Sequence, residues 1–153
     1  MNLIAILLTQ MAAAMPVADA PAPAPVAPQA AAPAIERYVG KYPFDKVDGV
    51  AFLDHPKVRA AVQAVVADPV VRKWVLQAND SPSPAIYRLG AEIVAVGCQA
   101  HACGERNWAI LVDPGRMSAR VCYFNGTTAR WFPAIGRPLN GVDECPFDPP
   151  KGK

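Results

Sequence analysis

Apolar residues change their spacing part-way along this chain. Val58, Ala61, Val62 and Val65 recur at helical intervals, after an Asp54 that can cap and a Pro56 suited to a first turn. Asp68-Pro69 repeats the start signal, with Val70, Val71, Trp74 and Val75 behind it. Asn79-Asp80-Ser81-Pro82-Ser83-Pro84 then breaks the chain. Beyond it the pattern is that of strands. Ile86 to Val96 is one apolar stretch, with Gly90 as a bulge or turn point, and Trp108 to Val112 is a second. Asp113-Pro114-Gly115-Arg116 turns into a third, Met117 to Phe124. Asn125-Gly126 reads as a two-residue hairpin turn answered by Thr127 to Phe132, and a short pairing near Ile135 or Leu139 would complete the set. Helices first and a meander afterwards predict an α+β domain: an antiparallel sheet of about five strands with helices on one face.

The ends of the chain follow neither pattern. Leu3 to Leu8 is a short apolar run, followed by small residues such as Ala18-Asp19-Ala20, which reads as a signal peptide over residues 1–20. No Lys or Arg precedes the run, so an alanine-rich disordered start is the competing reading. The run is too short for a transmembrane segment, which needs about 20 apolar residues. Residues 21–35 are rich in Ala and Pro, as expected of a semi-rigid linker; a proline-motif ligand is the alternative. Residues 36–153 are then one domain. Removing the only charge before Ile35, Asp19, takes the net charge from +2 to +3. With no Lys/Arg run, nothing points to nucleic acid.

All four cysteines lie in that domain, which fits an exported, oxidised protein. Three pairings are open to them. Cys98–Cys103 is favoured because the two are close and flanked by strand-like segments, and Cys122–Cys145 follows by elimination. On the chain-entropy model a six-residue ring contributes about 2 kcal/mol and a loop of about 24 residues about 3.5 kcal/mol. The larger bridge is therefore expected to be structural, and the smaller one to fix local shape.

The small ring encloses the candidate chemistry: Cys98-Gln99-Ala100-His101-Ala102-Cys103-Gly104. Cys98, His101 and Cys103 could ligate zinc, but a structural site needs a fourth ligand, and the only other histidine, His55, sits at a helix start. The spacing is not the C-x-x-C of redox enzymes, and no Ser/His/Asp set or phosphate-cradling glycine loop appears elsewhere. Neither a metal, a cofactor nor an enzyme is expected. Two readings remain: a stiff turn with an exposed histidine, or an inhibitory plug for another protein's active site.

These residues resemble the signature loop of the Ivy family, periplasmic inhibitors of c-type lysozyme. The resemblance is most specific over the loop and extends loosely from Val58 to about Gly141. It implies that Cys98 and Cys103 close the ring, that Gly104 is the turn exit, and that His101 reaches the two catalytic carboxylates of the lysozyme cleft. Imidazole suits such a pair because it can donate from one or both ring nitrogens. The family loop usually reads Cys-Lys-Pro-His-Asp-Cys, whereas this chain has Gln99, Ala100 and Ala102 at the variable positions. Those changes predict weaker or altered inhibition on the same fold. The alternative within the family fold is an envelope binding protein that controls lytic transglycosylases. Oligomeric state is not legible.

Overall fold

The computed structural model describes residues 32–77, 81–133 and 145–146. The signal-peptide segment, most of the linker, Asn79-Asp80 of the breaker and the pairing expected near Ile135 or Leu139 lie outside the described residues.

The chain enters through a 3-10 turn, Ile35–Tyr38, and a short hairpin of β1 (Lys46–Val47) and β2 (Val50–Ala51). A second 3-10 turn, Phe52–Asp54, leads into α1 (Pro56–Val65), and α2 (Pro69–Leu76) follows. Both helices begin with proline, whose missing N–H is not needed there. Asp68 caps α2 as expected, accepting from the N–H groups of Val70 at 2.9 Å and Val71 at 3.2 Å. The cap of α1 is a correction: it is His55, not Asp54. Asp54 closes the 3-10 turn and faces Arg59 at 3.6 Å. The His55 ring is buried, with Nε2 at 2.9 Å from the Pro33 carbonyl and Nδ1 at 3.2 Å from the Lys57 N–H. Nδ1 can accept only if the proton is on Nε2, so one neutral tautomer satisfies both contacts.

Five antiparallel strands follow in the order β3-β4-β5-β6-β7: Tyr87–Leu89, Glu92–Cys98, Asn107–Asp113, Ser118–Phe124 and Ala129–Phe132. The single apolar stretch from Ile86 to Val96 is two strands. Gly90, at φ 60°, and Ala91 turn the chain so that Leu89 pairs with Glu92. The hairpin at Asn125-Gly126 is also longer than two residues. Phe124 pairs with Ala129 across a four-residue loop, because the Asn125 side chain accepts from the N–H groups of Thr127 and Thr128. That Asx-type arrangement competes with the tight turn.

Apolar residues fill both faces of the sheet. Ile93, Ala95, Trp108, Ile110, Val112, Val121 and Tyr123 meet Val58, Val62, Val71 and Val75 of the helices. Val94, Val96, Ala109, Leu111 and Cys122 form a smaller cluster on the opposite face, with Cys145 against it. Burial on both sides explains why β4 and β5 read as continuous apolar runs. Each such large side chain contributes about 1.5–3 kcal/mol by leaving water. Glu92 and Arg120 pair across the intervening β5 at 2.9 and 2.5 Å, which raises the Arg120 pKa, and Arg120 lies over the Trp131 ring.

Candidate functional site

The sheet ends in two neighbouring hairpin loops, and the loop between β4 and β5 carries the candidate chemistry. Cys98 is the last residue of β4 and pairs with Asn107, the first of β5. Residues 99–106 project beyond that pair. A disulfide joins Cys98 to Cys103 with Cα atoms 4.8 Å apart, and a second joins Cys122 to Cys145. The thiols are therefore not free to act as metal ligands. Among the described residues no group of three His, Cys, Asp or Glu side chains could hold a metal ion.

Inside the ring the Ala102 N–H donates to the Gln99 carbonyl at 3.0 Å, so residues 99–102 form a four-residue turn. His101 is its third residue and is left-handed, at φ 63°, while Ala100 is not. That is the pattern of a type II turn, whose third position favours glycine or asparagine and whose second favours proline. A non-glycine residue in such a conformation costs about 1–3 kcal/mol and persists where its surroundings over-determine it. The surroundings here are a dense set of hydrogen bonds. Gln99 N–H donates to the Arg106 carbonyl at 2.9 Å, while the N–H groups of Glu105 and Arg106 both donate to Ala102 at 2.9 Å. The Asn107 side-chain amide donates to the Cys103 carbonyl at 3.0 Å.

The structure places the singled-out residues unequally. Cys98 is buried, Gln99, Ala102 and Cys103 are half-buried, and Ala100, His101 and Gly104 are exposed. Gly104 has no left-handed backbone, and a Cβ there would meet nothing within 4 Å. No side chain among the described residues hydrogen-bonds the His101 ring.

Several supporting residues escaped the sequence reading. Ser81 Oγ donates to the Cys98 carbonyl at 2.6 Å, and the Cys98 N–H donates to Pro82 at 3.2 Å. The breaker segment therefore grips one arm of the loop. A Cβ on Gly97 would come within 2.5 Å of Ser81 Oγ and of Trp108 Cζ2. This glycine is the gap through which Ser81 and the indole approach the strand. A lone glycine before a cysteine, inside an apolar run, was the available signal. On the other arm the Arg106 guanidinium lies 5.5 Å from the centre of the Trp74 ring of α2. Only the fold brings those two together.

A family model described as inhibitor of vertebrate lysozyme (Ivy) matches residues 57–144. The chain belongs to the Ivy family. The matched region runs from the first turn of α1 through the whole five-stranded sheet and contains the ring, so the family's lysozyme-inhibiting role in general extends to this chain, with lysozyme as its protein partner. Comparison with curated proteins and with solved structures returned no match. Two disulfides in an Ivy domain fit an exported protein. No helix among the described residues is long and apolar enough to cross a membrane.

Proposed function

We propose that this Ivy domain inhibits c-type lysozyme in the periplasm, after export on residues 1–20, by inserting the ring 98–103 into the substrate cleft with His101 foremost. The observation that carries the reading is His101 itself. Its imidazole is exposed, held on a left-handed turn inside a covalent ring, and engaged by no side chain of its own protein among the described residues. A strained and unpartnered polar group on a rigid tip is arranged for a contact outside the molecule.

The cleft of a retaining glycosidase holds one carboxyl kept protonated and one ionised. Imidazole placed between them donates to the ionised oxygen, and a hydrogen bond to a charged partner contributes about 1.5–3 kcal/mol. Ring closure lowers the freedom lost on docking. No bond is made or broken: inhibition is occlusion of the cleft.

The test is lysis of a cell-wall suspension by a c-type lysozyme with and without the purified chain. Slowed lysis is expected. His101→Gly keeps the turn, since glycine accepts φ 63° without strain, and removes only the imidazole. It should reduce inhibition at least tenfold, while unchanged inhibition by that variant overturns the loop reading. Capture of a lytic transglycosylase by a chain that leaves c-type lysozyme unaffected would transfer the proposal to that target.

A further inference from the structure

A six-residue tip is about a quarter of the 20–30 residues per side that a stable protein interface uses. An inhibitor that relied on the ring alone would be short of contact area. The surface that adjoins the ring on the α2 side offers more. Pro69, Val70, Lys73, Trp74 and Gln77 line an open groove of about 570 Å³ along α2. Val70 is 63% exposed, one of only three large apolar residues that stand out from the described surface. Lys73 is exposed and forms no ion pair among the described residues.

Arg106 ties this groove to the ring. Its backbone closes the loop on both sides, through Gln99 N–H to its carbonyl and its own N–H to Ala102. Its side chain lies over Trp74, a residue of the groove wall. Groove and loop are thus one continuous surface. Its composition is that of an interface centre: a tryptophan, an arginine and an exposed aliphatic side chain, with polar groups at the edge.

We propose that the α2 groove is a second contact site for the same lysozyme, receiving an apolar side chain from the rim of the cleft whose interior takes the ring. Lys73 and Arg106 then meet carboxylates beside that side chain. The proposal rests on the loop reading for its partner and adds the residues that supply the missing area. Trp74 and Arg106 also act as positioning residues, because the stacked guanidinium fixes the arm of the loop that carries it.

The test is the dissociation constant of the full chain with a c-type lysozyme, measured for wild type, Val70→Glu, Lys73→Glu, Arg106→Ala, Arg106→Lys, His101→Gly and Ala91→Glu. Val70 and Lys73 are exposed, so their variants fold. Ala91 is exposed in the β3–β4 turn, at the opposite end of β4 from the ring, and serves as the control. Val70→Glu is expected to weaken binding roughly tenfold to thirtyfold, in the range of an interface hot spot. Lys73→Glu should weaken it and make it less sensitive to added salt, Arg106→Lys should restore most of what Arg106→Ala loses, and Ala91→Glu should change nothing. Val70→Glu and Lys73→Glu equal to wild type, with His101→Gly impaired, overturns the groove and leaves the loop reading standing. The converse pattern removes the loop reading, and with it the placement of the groove beside the cleft, leaving the groove as a lysozyme contact elsewhere. Equal losses in Ala91→Glu and Val70→Glu also overturn the groove, since the effect is then unspecific charge.

Discussion

The two disulfides sit on the same sheet and differ in what surrounds them. Cys122 is wholly buried in the middle of β6, and its bond reaches Cys145, 23 residues away, against the face of the sheet opposite α1 and α2. Cys98 and Cys103 close a ring of sequence separation 5 at the rim, with exposed residues inside it. Chain entropy makes the long bridge the larger contributor to stability, and its sulfurs also fill space among Val94, Val96, Ala109 and Leu111. The short bridge constrains little of the unfolded chain. What it constrains is the turn on which His101 stands. Under the proposed function, covalent bonds of one kind thus serve cohesion in one place and presentation in the other.

That contrast can be broken by experiment. Replacing Cys122 and Cys145 by alanine should cost the most, about 3.5 kcal/mol or more in urea unfolding, because a buried cavity adds to the lost loop constraint. Replacing Cys98 and Cys103 by serine should cost about 2 kcal/mol at most, yet weaken inhibition of lysozyme far more than the first pair of changes does in protein that remains folded. If both double variants lost stability and inhibition in the same proportion, the division of labour would be wrong.

Gly97→Ala sharpens the comparison from the supporting side. A methyl group 2.5 Å from both Ser81 Oγ and the Trp108 ring forces a shift costing about 1–3 kcal/mol, and displaces the strand end that carries Cys98. Unfolding and inhibition should both register it. Ala100→Pro acts in the opposite direction. The second position of the turn suits proline, and no hydrogen bond among the described residues uses the Ala100 N–H, so a gain of about 0.4–1 kcal/mol and slower dissociation from lysozyme are expected.

The smallest effect lies at the start of α2, where Asp68 meets Arg130 of β7. The Val71 N–H, then Arg130, hold the Asp68 carboxyl below its usual range. Its contribution is therefore complete above the ordinary carboxylate value and is lost as pH falls through the lowered folded value. Asp68→Asn keeps a capping oxygen and removes the charge, so its unfolding midpoint should depend less on acidity below about pH 4 than that of the wild type.

Much of this was legible in the residue order. Proline after aspartate announced α2, and the change from helical to strand spacing announced the α+β division. Where the reading missed, a side chain had taken the place of a local rule. His55 became the cap of α1 because a carbonyl 22 residues earlier fixes its ring, which no local pattern encodes. Asn125 widened its hairpin by binding two amides itself. Gly90, singled out in the sequence as a bulge or turn point, is the turn that splits the apolar run into two strands. At the candidate site the ring was visible as a motif. Its grip was not, since Ser81, Trp74 and Arg106 meet it only through the folded chain.

The contact between His55 and Pro33 also sets a limit on where the protein can be trimmed. The family match begins at residue 57, and a fragment cut there would look complete by resemblance alone. It would lack Tyr38, Phe52 and Ile35, all buried against the helices. A cut that spared those residues but removed Pro33 would still leave a buried imidazole N–H without its acceptor, at a cost of about 1–3 kcal/mol. A cleavage that keeps this contact intact must therefore fall upstream of Pro33, and one just after it is expected to lower the unfolding free energy by that amount.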